Sequence, residues 1–126
     1  MIGISKIISM NDLSDRLFSF AVRCIKLVRV LPTTIEYRVI NNQLIKSSSS
    51  AGANYEESQA GSSKADFNNK VRIALREMKE SDYWLRILKD IDIPESKNNE
   101  LDLLIQESKE LKNILGVIVQ KTRQQK

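Results

Sequence analysis

Residues 63–89 read SKADFNNKVRIALREMKESDYWLRILK. Apolar or small residues recur there at steps of three and four, which places them on one side of an α-helix. Ser63 stands three residues before Asp66, the spacing of a capping box at the start of a helix. The pattern predicts an amphipathic helix over residues 64–89. Its apolar seam is Phe67, Val71, Ala74, Met78, Ser81, Leu85 and Leu88.

The same periodicity extends outward from this segment in both directions. Short breaks at residues 31–34, 60–63 and 92–96 separate four segments, and such short links favour antiparallel neighbours. We therefore predict an all-α protein, an antiparallel up-and-down four-helix bundle that forms a single domain over residues 1–126. The end of the chain, residues 123–126, is expected to fray. The predicted helices span about residues 12–30, 34–59, 64–89 and 97–122. The predicted seam of the first is Leu13, Leu17, Phe20, Cys24, Leu27 and Leu31, and that of the fourth is Leu101, Leu104, Ser108, Leu111, Leu115, Ile118 and Thr122.

The second segment contains a conflict between composition and periodicity. Residues 47–54, SSSSAGAN, have the composition of a flexible linker. Helical spacing nevertheless continues through them, and we expect one uninterrupted helix whose small residues let a neighbouring backbone approach. The positions that keep this spacing are Tyr37, Ile40, Leu44, Ser48, Ala51 and Tyr55.

Composition excludes several kinds of catalytic site. The chain has no histidine, one cysteine and four isolated glycines, so it lacks an imidazole base, a thiolate metal cluster and a phosphate-binding glycine loop. We expect no enzyme activity, no catalytic residue, no metal and no cofactor. The alternative is an unrecognised carboxylate site that uses Glu77 and Glu80. Exposed carboxylates paired with lysine or arginine explain these two residues more simply.

Location follows from what the sequence lacks. Residues 1–10, MIGISKIISM, have neither the basic start nor the long apolar core of a secretory signal. No run of about 20 apolar residues exists that could cross a membrane. We expect a cytoplasmic protein that does not associate with membranes.

Basic residues form two stripes on the predicted helices. Four basic residues of the third segment fall within about 80° of one another, opposite the apolar seam. The first segment carries a shorter stripe. With a net charge of +4, these stripes are candidate contacts for nucleic acid, although each could equally be an ordinary solvated surface. The candidate nucleic-acid-binding residues are Arg16, Arg23, Lys26, Arg72, Arg76, Lys79 and Arg86.

A second apolar stripe lies beside the seam on the first and third helices. One bundle does not need this additional surface, and large exposed apolar patches are uncommon on monomers. The stripes therefore predict contacts between subunits of a homo-oligomer. The candidate interface residues are Phe18, Ile25, Ile73, Trp84 and Ile87.

Residues 46–90 resemble a known family. Gly52-Ala53-Asn54-Tyr55-Glu56-Glu57 follows a serine run, and Ser63-Lys64-Ala65-Asp66-Phe67, Ile73-Ala74-Leu75-Arg76-Glu77, Glu80 and Tyr83-Trp84-Leu85 come after it. In order and spacing these motifs are similar to four-helix bundle proteins encoded by intervening sequences within bacterial 23S ribosomal RNA genes. That family is also called the S23 ribosomal protein family.

The resemblance implies a ring-shaped homopentamer and supports reading the second segment as one helix. Family members also resemble the accessory protein of diversity-generating retroelements, a basic pentamer that binds nucleic acid and a reverse transcriptase. The expected function is non-enzymatic binding of RNA or a nucleoprotein partner through the basic helix faces. The alternative is a structural or protein-interaction module with no role in nucleic-acid binding.

Overall fold

A computed structural model of the chain describes residues 10–61 and 63–124, where four α-helices and one short 3-10 turn make up all the regular structure. Each helix end lies within two residues of the end that the hydrophobic pattern predicts. The all-α class with four helices is confirmed. The helices are α1 (Met10–Arg29), α2 (Ile35–Ser58), α3 (Lys64–Asp90) and α4 (Asn98–Gln124), and the 3-10 turn is Glu95–Lys97.

Local backbone chemistry explains where the helices stop and start. Gly61, after α2, has a φ of 81°, a left-handed conformation that glycine adopts without steric cost. Ser63 then caps α3, because its Oγ accepts a hydrogen bond from the Asp66 N–H at 3.1 Å. After α3, Asp92 has a φ of 60°, which aspartate tolerates better than most residues, and Ile93 returns to the core. The breaks in the hydrophobic pattern therefore coincide with the connections.

The serine-rich stretch is an uninterrupted part of α2. Ser49 Oγ donates to the Ile45 carbonyl at 2.7 Å, and Ser48 Oγ donates to the same carbonyl at 3.3 Å. Such bonds to the preceding turn occupy hydroxyls that could otherwise compete for backbone groups. Gly52 faces α1, since a Cβ added to it would lie 3.6 Å from both Leu17 Cβ and Leu17 O. Periodicity therefore predicts this backbone correctly, whereas composition does not.

The core lies between the four helices and consists largely of the predicted seam residues. All of these are buried except Phe67, which is partly buried, and one residue near the end of α4. There Val119 is buried, whereas Ile118, which the pattern predicts as a core residue, is only partly buried and packs against the edge of the core. An α-helix has 3.6 residues per turn, so a strict heptad pattern drifts around it. The four-residue step from Leu115 to Val119 keeps the apolar stripe facing the core.

Two polar contacts between helices lie inside this core. Ser47 Oγ and Ser81 Oγ are 2.7 Å apart, and Ser81 also donates to the Glu77 carbonyl at 3.0 Å. Ser108 Oγ of α4 donates to Asp82 Oδ1 of α3 at 3.1 Å. A buried polar group without a partner costs about 1–3 kcal/mol. Sliding α3 along α2 or α4 would break these hydrogen bonds and leave buried polar groups without partners, so it would be unfavourable.

Candidate nucleic-acid interface

A groove runs along the surface between α3 and α4. Its larger part has a volume of about 690 Å³, an adjoining part has about 280 Å³, and Leu75 and Lys79 line both. At Arg86 the larger part meets a smaller hollow beside Tyr83. Gly116 lines the α4 side without a side chain, and a Cβ placed there would meet nothing within 4 Å. The missing side chain helps to keep the space between the helices open.

Basic side chains dominate this groove. Six basic residues and one carboxylate line its two larger parts, so it is more positive than the whole chain, whose net charge is +4. Four of the six are the stripe that the sequence predicts on α3. We call this surface the basic groove. Its charged residues are Arg72, Arg76, Lys79, Asp82 and Arg86 of α3, with Lys112 and Arg123 of α4.

Four of these cations are available to an external anion. Within residues 10–61 and 63–124, no carboxylate forms an ion pair with Arg72, Arg76, Lys79 or Arg123. Arg76, Lys79 and Arg123 are exposed and Arg72 is half-buried. A phosphate could therefore approach them without first breaking an intramolecular bond.

Asp82 lies at the floor of the basic groove and is only 3% exposed. Its Oδ2 accepts hydrogen bonds from Arg86 Nε at 3.1 Å and from Lys112 Nζ at 3.3 Å, while Oδ1 accepts one from Ser108. Burial alone would raise the pKa of Asp82, but the Ser108 hydroxyl and the two cations outweigh it and lower the pKa. The ionised carboxylate thus orients Arg86 and Lys112 across the groove.

The basic stripe of α1 is arranged differently. Arg16 donates to Glu107 of α4 at 2.7 Å, and Arg23 donates to Glu100 at 3.1 Å. The hydrogen bond to Glu107 is the largest cause of a raised pKa at Arg16. Lys26 is exposed and has no ion pair with another described residue. Most of the charge in this stripe therefore serves to join α1 to α4.

The predicted subunit-interface residues do not form one uniform exposed patch. Phe18 is 64% exposed, whereas Ile25 and Ile73 are half-buried. Trp84 and Ile87 are also half-buried, and both pack against the core of their own chain. Part of the second apolar stripe therefore contributes to the stability of the single chain. The sequence pattern by itself cannot separate these two uses.

Glu80, considered above for catalysis, and the single cysteine, Cys24, both have ordinary structural surroundings. Glu80 Oε2 accepts a hydrogen bond from Trp84 Nε1 at 3.0 Å. Burial raises the pKa of Cys24 to about 12, so its thiol is protonated at neutral pH. Across residues 10–61 and 63–124, no three or more His, Cys, Asp or Glu residues are grouped as a metal site would require. None of the helices in those ranges is long and apolar enough to span a membrane.

Sequence reasoning missed three residues of the basic groove. Lys112 and Arg123 lie on one side of α4 with Gly116, at helical spacing, so the signal was present. Arg123 was expected in a frayed end, but α4 continues through Gln124 and brings it to the groove. Asp82 directly follows Ser81, the seam residue between Met78 and Leu85, so it borders the apolar stripe and is buried beside it. A charge at such a position indicates a buried ion pair.

The fold and the groove together define a small all-α protein whose distinctive surface is a basic groove between its third and fourth helices. Residues 11–116 match the family model of the 23S rRNA-intervening sequence protein. The chain therefore belongs to this family, and the resemblance seen in residues 46–90 is confirmed.

A solved structure supports the same assignment. The chain is similar to a crystal structure of a protein of unknown function from the S23 ribosomal protein family of Bacteroides thetaiotaomicron. The two share 32% sequence identity with a TM-score of 0.74, over 88% of this chain and 97% of the other. No curated protein matches the chain.

Proposed function

We propose that this protein is a non-enzymatic RNA-binding protein whose basic groove contacts the phosphates of RNA or of an RNA-containing nucleoprotein. The observation that carries the proposal is the convergence of six basic side chains from two helices on one groove with a single carboxylate. Each phosphate that such a surface neutralises releases condensed counterions, which favours binding.

The scaffold in this proposal is an antiparallel up-and-down bundle. Arg16 pairs with Glu107, whereas Arg23, further along α1, pairs with Glu100, which comes earlier in α4. This reversed order is expected of helices that run in opposite directions. The short connections between consecutive helices favour the same arrangement.

We further propose that copies of the chain assemble into a homopentameric ring, as the family resemblance implies, and that the protein is cytoplasmic. The strong exposure of Phe18 on α1 supports a subunit contact. A ring would repeat the groove and increase its avidity for one long RNA. Light scattering coupled to gel filtration should give five times the chain mass of 14.4 kDa. A monomer would contradict this part of the proposal, and Ile73→Ser is expected to lower the mass while the helical circular dichroism is retained.

The proposed function is tested by comparing two triple variants that lose the same charge. Fluorescence anisotropy measures the affinity for a labelled RNA between 50 and 200 mM salt. With about four phosphate contacts, the slope of log K against log salt is about −2.8, which is about a 50-fold loss of affinity over that range. The groove variant is Arg72→Gln, Arg76→Gln and Lys79→Gln. The control is Arg29→Gln, Arg38→Gln and Lys46→Gln, and its three native residues are exposed and lie outside the groove.

The groove variant is expected to retain about one contact and a slope of about −0.7, while the control keeps the wild-type slope. Absence of binding at 50 mM salt, a flat salt response of the wild type, or equal losses in both variants would each refute the role of the groove.

The second candidate is a protein-interaction module with no nucleic-acid role. The observation in its favour is that Val117, 53% exposed, lines the same groove and offers an apolar contact. In that case charge reversal at Arg72 and Arg76 leaves function intact, and a polar substitution at Trp84 disrupts assembly instead. Binding of RNA by the wild type with a steep salt slope would exclude this candidate.

A further inference from the structure

One aromatic side chain interrupts the basic stripe of α3. Arg72, Arg76, Lys79, Tyr83 and Arg86 follow one another at steps of four, three, four and three, so they share one side of the helix. The stripe is about 21 Å long at 1.5 Å per residue. Tyr83 is 49% exposed, and the hollow beside it is lined by Arg86, which also lines the basic groove. An exposed aromatic ring therefore stands in line with the cations.

The ring of Tyr83 is held in place by its neighbours. It meets the Trp84 ring edge to face, with a centroid distance of 5.1 Å and an interplanar angle of 74°. Trp84 is anchored by its hydrogen bond to Glu80 and by its packing against the core. Arg86 Cζ lies 5.8 Å from the centroid of the Tyr83 ring, and Arg86 is itself fixed by Asp82. Little conformational freedom would be lost if a flat ligand stacked on this ring.

We infer that the basic groove takes single-stranded nucleic acid, with one base stacked on Tyr83 and the neighbouring phosphates held by Lys79 and Arg76. The inference rests on the proposed function and adds the form of the ligand. In a duplex the flat faces of the bases are covered by their neighbours, whereas a single strand can turn a base face outward. A charged groove interleaved with an aromatic ring is suited to the single strand.

The test uses four probes of equal length and equal label: a 16-nucleotide RNA, the DNA of the same sequence, the RNA duplex, and an abasic strand that keeps the phosphates but has no bases. The wild-type protein is expected to bind the RNA or DNA single strand at least about fivefold more tightly than the abasic strand. The comparison of RNA with DNA identifies which sugar is preferred.

Tyr83 variants separate stacking from charge. Tyr83→Leu is expected to weaken binding of the normal single strand by at least about fivefold and to leave binding of the abasic strand unchanged. Tyr83→Phe keeps the aromatic face and is expected to bind like the wild type. Light scattering on each variant checks that the assembly is intact.

The outcomes that overturn the inference differ from those that overturn the proposed function. Equal binding of single strand, duplex and abasic strand, with no effect of Tyr83→Leu, refutes stacking and leaves the electrostatic role of the groove standing. If Tyr83→Leu also changes the mass of the assembly, the altered assembly accounts for the lost affinity. That result also refutes stacking. Failure of the wild type to bind any probe at low salt refutes the proposed function itself.

Discussion

Replacement of Asp82 by asparagine is expected to weaken the fold and to strengthen nucleic-acid binding at the same time. The carboxylate is buried at the floor of the basic groove, where it accepts hydrogen bonds from Arg86, Lys112 and Ser108. An asparagine side chain has nearly the same shape and can still accept from Ser108. The substitution therefore removes mainly the negative charge.

The loss of stability follows from the two cations. Hydrogen bonds to charged groups contribute about 1.5–3 kcal/mol. Arg86 and Lys112 have side chains 55% and 29% exposed, so water can replace part of what they lose. We expect the free energy of unfolding to fall by about 1–2 kcal/mol, which lowers the Tm of a chain of this size by about 4–10 °C.

The gain in binding follows from the same two cations. In the wild type both donate to Asp82, and in the variant both are free to contact phosphate. Each additional contact to a single strand steepens the slope of log K against log salt by about 0.7, so the slope is expected to change by up to about 1.4. The affinity at low salt should rise accordingly.

The effect on stability should also depend on pH. The folded protein lowers the pKa of Asp82, so its carboxylate stabilises the fold above the pKa of the unfolded chain, about 3.9. That contribution is lost as the pH falls through the lower folded value. The difference in Tm between wild type and Asp82→Asn should therefore be complete at pH 7 and shrink below about pH 4.

Circular dichroism melts and anisotropy titrations measure the two effects on the same preparations. Asp15→Asn is a matched control, because Asp15 is exposed on α1 and its substitution changes the net charge equally. An Asp82→Asn protein as stable as the control, or one with an unchanged salt slope, would refute the reasoning about the groove floor.

Three further substitutions or treatments test other parts of the structure. Gly52→Ala is expected to raise the free energy of unfolding by up to about 1 kcal/mol, because a methyl group fits 3.6 Å from Leu17, whereas Gly52→Leu should lower it in the same urea titration. The double variant Arg16→Gln, Arg23→Gln is expected to lose about 0.2–1 kcal/mol per ion pair and to keep its RNA affinity; an affinity loss like that of the groove variant would show that α1 contacts the ligand. Native Cys24 should resist a thiol reagent at pH 8 until denaturant is added, because burial raises its pKa to about 12, and rapid labelling of the folded protein would disprove this.

The helices could be predicted because their apolar residues follow one period throughout. The serine run of α2 illustrates this: its composition suggests a linker, but Ser47 and Ser48 occupy core positions and their hydroxyls find partners there. Near the end of α4 the pattern was ambiguous by one residue, since Ile118 and Val119 are both apolar. Only the packing of the other helices decides between them.

The candidate site was less predictable because a groove depends on two helices. Arg72, Arg76 and Lys79 were identified from α3 alone, but their partner Lys112 comes from α4 and enters through the packing of the two helices. For Arg16 the sequence predicts too much. It shows the positive charge of Arg16, whereas only the fold shows that Glu107 pairs with that charge.

The central claim is that the groove between α3 and α4 is the surface that contacts nucleic acid, and photo-crosslinking tests it most directly. The protein is irradiated with a single-stranded RNA that contains 4-thiouridine, digested, and the crosslinked peptides are identified by mass spectrometry. We predict crosslinks within residues 72–86 and 112–123. Crosslinks confined to α1 and α2, or none above the background of an unrelated protein of equal charge, would contradict the claim.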